Sequence, residues 1–119
     1  MVIKMVVKRI HIPFNEWSAR RLEARKKFCT SRNKRYGQPG QTFVCIREYV
    51  IIGCAKMPLW MVAKYLWRME GAVSEADFKY VWSQIHPKTG FVPDQLVWVH
   101  FFQPYKDKED AQKLIDAFV

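Results

Sequence analysis

The sequence predicts an α+β fold, most simply a small mixed β-barrel decorated by helices. Segments rich in β-branched residues alternate with segments of helical period, in the order β-α-β-loop-β-β-α-α-β-α. The short strands are mostly neighbours in the sequence and the helices fall in two insertions, which favours a barrel over a parallel sheet. A chain of 119 residues, 50% of them hydrophobic, can build one core but not two. We therefore expect one domain over residues 1–104, with residues 105–119 as a helical extension packed on it.

The first third of the chain predicts two strands on either side of a helix. Residues 1–12 are rich in valine and isoleucine, which is typical of a strand. Asn15 is a suitable N-cap for a helix that reaches about residue 25. Residues 27–32 alternate as a short strand does, and residues 33–40, with two glycines and a proline, predict a loop.

The middle of the chain predicts a hairpin followed by a buried helix. Residues 42–47 and 49–56 are β-branched and aromatic, and we expect them to pair as strands joined near residues 47–48. The period then changes, with Pro58 at the start of a helix. Apolar side chains occupy nearly all faces of this helix up to about residue 70, so we expect it to be mostly buried.

The clearest helical pattern lies between Ser74 and Pro87. Ser74 is followed three residues later by Asp77, as in a capping box, and the helix must stop before Pro87. The apolar residues expected to be buried against the sheet, at spacings i, i+3, i+4 and i+7, are Phe78, Val81, Trp82 and Ile85. Residues 96–102 then predict a strand, and Asp107 predicts the start of a last amphipathic helix. The apolar residues of this last helix are Ala111, Leu114, Ile115 and Phe118.

The formal net charge of +9 is concentrated in the first third of the chain. Residues 1–36 hold eleven lysines and arginines against two glutamates, whereas the charges of residues 37–119 cancel. Positive charge gathered in one part of a small protein attracts a polyanion. We therefore expect nucleic acid as the partner.

The sequence argues against membrane, secreted and metal-binding classes of protein. The longest uncharged runs have 11 residues, fewer than the ~20 that a membrane-spanning helix needs. The N-terminus lacks the continuous apolar core of a signal peptide, which predicts a cytoplasmic protein with no membrane partner. The three cysteines are odd in number and form no C-x-x-C pair, so we expect no metal site and no cofactor. The sequence leaves the oligomeric state open.

The motif Lys27-x-x-Thr30-x-Arg32 resembles the K-x-x-T-x-R signature of the ASCH domain family. Further pieces in the order of that family are Arg35-Tyr36, Gly40-Gln41-Thr42-Phe43, Met69-Glu70-Gly71, Phe78, Trp82 and Val97-Trp98-Val99-His100-Phe101-Phe102. The resemblance covers roughly residues 3–102, and it implies a PUA-like β-barrel. Residues beyond the closing strand lie outside it.

The resemblance and the charge together favour a protein that binds RNA, or single-stranded nucleic acid generally, through a basic cleft at the barrel mouth. Lysines and arginines would hold phosphates, and Tyr36 would stack on an unpaired base. The predicted binding residues are Arg20, Arg21, Arg25, Lys26, Lys27, Thr30, Arg32, Lys34, Arg35 and Tyr36.

The resemblance also implies an alternative, because members of the family include amidohydrolases that act on N-acetylated cytidine. Their lysine, threonine and glutamate correspond to Lys27, Thr30 and Glu70. The lysine would take the threonine proton, the threonine oxygen would attack the amide, and the carboxylate would orient the base or protonate the leaving amine. We expect the three side chains to share one pocket, with Lys27 closest to Thr30. In a regular strand Lys27 and Thr30 face opposite sides, so Lys27 must lie in the preceding turn or at a bulge.

Two plainer interpretations of the same residues stay open. The basic side chains would form a solvated rim around a structural threonine, as charged surface residues commonly do. Alternatively, the chain would be a basic adaptor that binds a protein through its C-terminal helix. A long basic surface is of more use to a protein that binds a polymer than to a hydrolase of free nucleosides, which favours the nucleic-acid interpretation.

Overall fold

The computed structural model describes residues 8–105, which have an α+β fold. Four strands make one antiparallel sheet in the order β1-β4-β3-β2, which curls into a half-barrel. The elements are α1 (Glu16–Glu23), β1 (Cys29–Arg32), β2 (Thr42–Cys45), β3 (Arg47–Pro58), α2 (Leu59–Tyr65), α3 (Glu75–Ile85) and β4 (Leu96–Pro104). The predicted α+β class is confirmed.

The centre of the sheet is the long pairing of β3 with β4. It runs from Pro58 opposite Leu96 to Tyr49 opposite Pro104, with an irregularity in register between Ile51 and Gly53. The predicted hairpin of β2 with β3 is confirmed, but its turn was placed one residue too late. The turn lies at Ile46, whose φ of 67° is left-handed, because Cys45 pairs directly with Arg47.

Only part of the predicted first strand lies within the described residues. Arg9 forms a single parallel bridge with Thr42, and the Ile10 N–H donates to the Thr42 carbonyl at 2.7 Å. Apart from this bridge, residues 8–12 have no strand pairing. The predicted strand therefore reduces to one bridge here, while residues 1–7 and the predicted helix from Asp107 lie outside the described part.

α1 begins where the sequence predicts, because the Asn15 side chain accepts from the Ser18 N–H at 2.8 Å. α2 is shorter than predicted and ends at Tyr65. The prediction that it is mostly buried is wrong for Trp60 and Tyr65, which are 40% and 63% exposed. Only one face of α2 packs on the sheet, through Leu59, Val62 and Ala63.

Turns over residues 66–71 follow α2 and carry Glu70. The Glu70 N–H donates to the Leu66 carbonyl at 2.9 Å, and the Gly71 N–H donates to that of Arg68 at 3.0 Å. Gly71 has a φ of +94°, and a Cβ built there would lie 3.0 Å from the Arg21 Cβ. Glycine is required at this position by both its dihedral angle and the closeness of α1.

α3 begins at the predicted N-cap Ser74, and its start differs from a regular capping box only in that the carboxylate bonds one residue before the N-cap. The Ser74 hydroxyl accepts from the Asp77 N–H at 3.0 Å, and the Asp77 carboxylate accepts from the Val73 N–H at 3.0 Å. Phe78 and Trp82 are buried as predicted, and Val81 is half-buried. The prediction is wrong for Ile85, which is 46% exposed because the last turn of α3 borders a surface cavity instead of the sheet.

Apolar clusters lie on both faces of the sheet. One contains α2, α3 and the inward side chains Cys29, Val97 and Val99. The other contains Leu22 of α1 with Ile12, Phe43, Tyr49, Ile51 and Phe102. Because β1 pairs only with β4 among the described strands, its other side is a free edge of the sheet, and residues of α1 and α3 lie near that edge. No helix in this part of the chain is both long and apolar enough to span a membrane.

Candidate functional site

A cavity of about 600 Å³ lies at the free edge of β1. The segment before α1 and α1 itself form one wall, and α3 forms the opposite wall. The side chains that decide its chemistry are Phe14, Trp17, Lys27, Thr30, Ser31, Arg32, Lys34, Tyr36, Glu70, Phe78, Trp82 and His86. It is therefore an aromatic-walled cavity with a polar floor and a basic mouth.

The floor is a buried network around Glu70. The Lys27 ammonium lies 2.9 Å from Oε2 of Glu70 and also donates to the Glu70 backbone carbonyl at 3.0 Å. The Ser31 hydroxyl donates to Oε1 at 2.7 Å. Lys27 and Glu70 are only 3% and 4% exposed. Burial of two charges is tolerated because each is paired and hydrogen-bonded.

Lys27 lies outside the regular strand, as the sequence analysis required if it is to share a cavity with Thr30. β1 begins at Cys29, so Lys27 belongs to the irregular segment between the turn after α1 and the strand. Backbone bonds from Phe28 and Cys29 to the Met69 carbonyl, at 2.6 Å and 3.2 Å, hold this segment against the one that carries Glu70. The backbone thus brings Lys27 and Glu70 together, although they are 43 residues apart.

Thr30 lines the same cavity but does not contact Lys27 by a hydrogen bond. Its hydroxyl accepts from Nε of Arg32 at 3.2 Å, as two residues on one face of a strand can do. Both hydrogen bonds of the Lys27 ammonium go to Glu70. The prediction that Lys27 lies closest to Thr30 is therefore wrong, because Ser31 is the β1 side chain that faces the ion pair.

The thiol of Cys29 borders the ion pair but is poorly suited to chemistry. Its burial raises its pKa well above the ordinary value, and the Glu70 carboxylate raises that pKa further while Lys27 opposes the change. A thiol that stays protonated is a weak nucleophile. Cys29 is a core residue, as its place among Val97 and Val99 indicates.

The mouth of the cavity carries two cations stacked on aromatic rings. The Arg32 guanidinium lies 5.0 Å from the centre of the Phe14 ring and 5.7 Å from that of Tyr36. The Lys34 ammonium lies 4.9 Å from the centre of the Tyr36 ring. Among residues 8–105, neither cation is in an ion pair with a carboxylate. Burial lowers the pKa of Arg32, and the Glu70 and Tyr36 side chains oppose that change.

His100 holds the backbone of Tyr36 by a hydrogen bond. It is fully buried, its Nε2 accepts from the Tyr36 N–H at 3.0 Å, and its Nδ1 lies 3.3 Å from the Thr30 carbonyl. This arrangement needs the neutral tautomer with the proton on Nδ1. Burial lowers the pKa of His100, and Arg32 and Arg35 lower it further, against the hydrogen bonds to the Thr30 and Trp98 backbones.

The structure brings some of the predicted basic residues to the cavity and places the others outside it. Lys27, Arg32 and Lys34 line the cavity together with Thr30 and Tyr36. The other predicted residues do not line it. Arg20 pairs with Glu16, Arg21 lies over the Trp17 ring, and Arg35 contacts the Trp98 ring and the Gly37 carbonyl. Lys26 lines a separate depression beside Phe28, and Arg25 has a left-handed backbone conformation just after α1.

Sequence reasoning missed Ser31, Phe14, Trp82 and His86 as cavity residues. Ser31 lies inside the motif that identified its neighbours, so its position was the only available signal. Trp82 was predicted as core, and it is buried, yet its Nε1 has no hydrogen-bond partner among the described residues. Its ring stacks on His86 at 4.2 Å, and the His86 Nδ1 lies 3.0 Å from the Trp82 carbonyl. No sequence pattern predicts these contacts.

In residues 8–105 no three His, Cys, Asp or Glu side chains are placed to hold a metal ion. Comparison of the chain with protein-family models, curated proteins and solved structures finds no match. The fold and the cavity define a small α+β protein with a basic, aromatic-walled cavity at the free edge of β1.

Proposed function

We propose that the chain binds RNA or single-stranded nucleic acid, with one unpaired nucleotide in the cavity and phosphates at its mouth. The observation that carries this proposal is the pair Arg32 and Lys34, which lie on aromatic rings at the cavity mouth without a carboxylate partner in the described chain. Cations that no protein carboxylate neutralises suit an anionic ligand.

Arg32 is suited to a phosphate or to a base edge. A guanidinium has five N–H donors, of which Arg32 uses Nε for the Thr30 hydroxyl. Its terminal nitrogens have no hydrogen-bond partner within residues 8–105 and can donate side by side to two oxygens. The rings of Phe14 and Tyr36 hold the plane of this guanidinium.

The interior of the cavity is suited to a base. Its volume of about 600 Å³ lies within the usual 300–1,000 Å³ of small-ligand sites. Aromatic walls such as Trp17 and Phe78 can take a ring in van der Waals or stacking contact. A carboxylate has about four acceptor sites, and in Glu70 these serve Lys27, Ser31 and the Cys29 thiol, so one further site suits an exocyclic amine.

A titration of a fluorescent single-stranded RNA, followed by anisotropy, tests the proposal. We expect wild-type binding and at least a tenfold weaker affinity for the double variant Arg32→Gln with Lys34→Gln. The matched control is Arg47→Gln with Lys64→Gln, which removes the same two charge types from exposed residues outside the cavity. Equal losses in both double variants would show that binding depends on total charge alone, and absence of wild-type binding would contradict the proposal.

One observation favours a second candidate, an amidohydrolase acting on an N-acetylated cytidine or a similar modified nucleoside. Lys27, Glu70 and Thr30 line one cavity, with a hydroxyl, that of Ser31, hydrogen-bonded to the carboxylate. In such a reaction a hydroxyl oxygen bonds to the acetyl carbon while a base takes its proton. The C–N bond then breaks as the amine takes a proton, and water releases acetate from the ester.

Release of cytidine from N4-acetylcytidine, measured by chromatography, tests this second candidate. Turnover that is lost in Thr30→Ala and kept in Ser31→Ala would assign the nucleophile to Thr30, and the reverse result would assign it to Ser31. No turnover by the wild-type chain would end this candidate while leaving nucleic-acid binding untouched.

A further inference from the structure

An apolar groove of about 580 Å³ lies away from the cavity, on the face of the sheet that α2 and α3 cover only in part. Its exposed apolar side chains are Phe28, Ile52 and Met69, which are 43%, 52% and 36% exposed. Phe28 and Met69 also line a second depression beside Lys26 and Arg68, so the two form one continuous surface. Side chains of this size are seldom left together in water.

The strand pattern explains why this surface is open. Alternate residues of β4 share one face of the sheet, so Val97, Val99 and Phe101 point to the same side. Val97 and Val99 are fully buried beneath α2 and α3, whereas Phe101 is only half-buried. The helices therefore cover one end of this face and leave the end near Phe101 uncovered.

The chain itself leaves the sheet at this groove. β4 ends at Pro104, and Gln103 and Pro104 are part of the groove wall. The sequence that follows has a single apolar stripe at i, i+3, i+4 and i+7. As a helix, residues 107–118 would be ~18 Å long, enough to cross the ~14 Å between the outer strands of a four-stranded sheet.

We propose that residues 107–118 form an amphipathic helix that docks its apolar stripe in the Phe28–Ile52–Met69 groove. The charges agree with this occupant, because the segment carries four acidic residues against two lysines, and Lys26 and Arg68 line the depression next to the groove. The docked helix braces Met69, whose carbonyl holds Phe28 and Cys29 and which precedes Glu70. The docked helix thus stabilises the segment that carries Glu70 at the cavity floor.

Photo-crosslinking of the full chain tests the location. With p-benzoylphenylalanine in place of Ile52, we expect crosslinks within one chain, to peptides that contain residues 111–118, identified by mass spectrometry. The same photo-reactive residue in place of Tyr80, exposed on α3 and outside the groove, is the control and should not reach that segment. Crosslinks between two chains, or none to residues 106–119, would overturn the proposal.

A charge-matched pair of variants tests the contact without removing the segment. Leu114→Asp places a charge in the apolar stripe and should raise the rate at which peroxide oxidises Met69 at least threefold, as well as remove the crosslink. Gln112→Asp adds the same charge outside the stripe and should leave both readouts at wild-type level. Equal Met69 oxidation in the two variants and the wild type would contradict docking at this groove, whatever the nucleic-acid binding of the chain.

Discussion

Lys27 and Glu70 make the buried ion pair of the described chain, and two features keep it buried. The carboxylate accepts from both Lys27 and Ser31, and the ammonium has the Glu70 carbonyl as a second acceptor. Removal of one partner from such a pair leaves an unpaired buried charge, which costs more than the net stabilisation by the pair itself. The pair therefore matters for folding whatever ligand occupies the cavity.

Lys27→Met should lower the free energy of unfolding by about 3–5 kcal/mol, because Glu70 then stays buried without its cation. Urea denaturation followed by circular dichroism measures the change. The double variant Lys27→Met with Glu70→Gln should recover part of the loss, since no unpaired charge is left. A loss below about 1 kcal/mol in Lys27→Met would show that the pair is solvated in solution.

His100 should make stability fall below about pH 6.5, the ordinary value for histidine. The pKa of the folded His100 is lowered by burial, so on acidification the unfolded chain takes up this proton first and stability decreases until the folded pKa is reached. His100→Gln, which keeps one donor and one acceptor, should flatten the dependence. Urea midpoints between pH 5 and pH 8 measure it, and an unchanged slope in His100→Gln would contradict the assignment.

At the scale of residues, the sequence predicted that Lys27, Thr30 and Glu70 share a cavity but not their contacts. The motif placed Lys27, Thr30 and Glu70, and the structure brings all three to one cavity. It did not predict that Glu70 pairs with Lys27 and Ser31, because those contacts depend on a backbone contact that joins Met69 to Phe28. Local sequence periodicity carries no information about contacts between residues that are 39 and 43 positions apart.

Among the elements, α3 was predicted best because two independent local signals agree. The Ser74 N-cap fixes its start and the apolar spacing fixes its buried face. α2 was predicted less well, since a helix that is apolar on nearly all faces gives no sign of which face is exposed. Its early end at Tyr65 depends on the turns that carry Glu70, which are stabilised by tertiary contacts with α1 and β1.

The two ends of the α3 stripe should differ in their contribution to stability. Trp82→Ala should cost about 3–5 kcal/mol because the ring is 5% exposed within the core. Ile85→Ala should cost less than about 1 kcal/mol because that side chain is 46% exposed. Thermal and urea unfolding of the two variants measure the difference, and similar losses at both positions would contradict the packing of α3.

At the scale of the whole molecule, the sequence predicted that positive charge is concentrated in the first third of the chain. It did not predict which of these basic side chains line the cavity. Of the positive residues of the first third that the structure describes, only Lys27, Arg32 and Lys34 line the cavity. Lys27 is neutralised there by Glu70, which leaves two cations at the mouth. A sum of charges along the sequence cannot distinguish a paired buried lysine from an unpaired one.

The salt dependence of RNA affinity tests the central claim most directly. Phosphate contacts release counterions, so log affinity should fall linearly with log salt, by about 0.7 for each phosphate held on a single strand. We expect a clear negative slope for the wild type and a slope flatter by about 1.4 for Arg32→Gln with Lys34→Gln, whose two cations are lost. The Arg47→Gln with Lys64→Gln control should keep the wild-type slope. A wild-type slope near zero, or an unchanged slope in the cavity variant, would contradict nucleic-acid binding at this mouth.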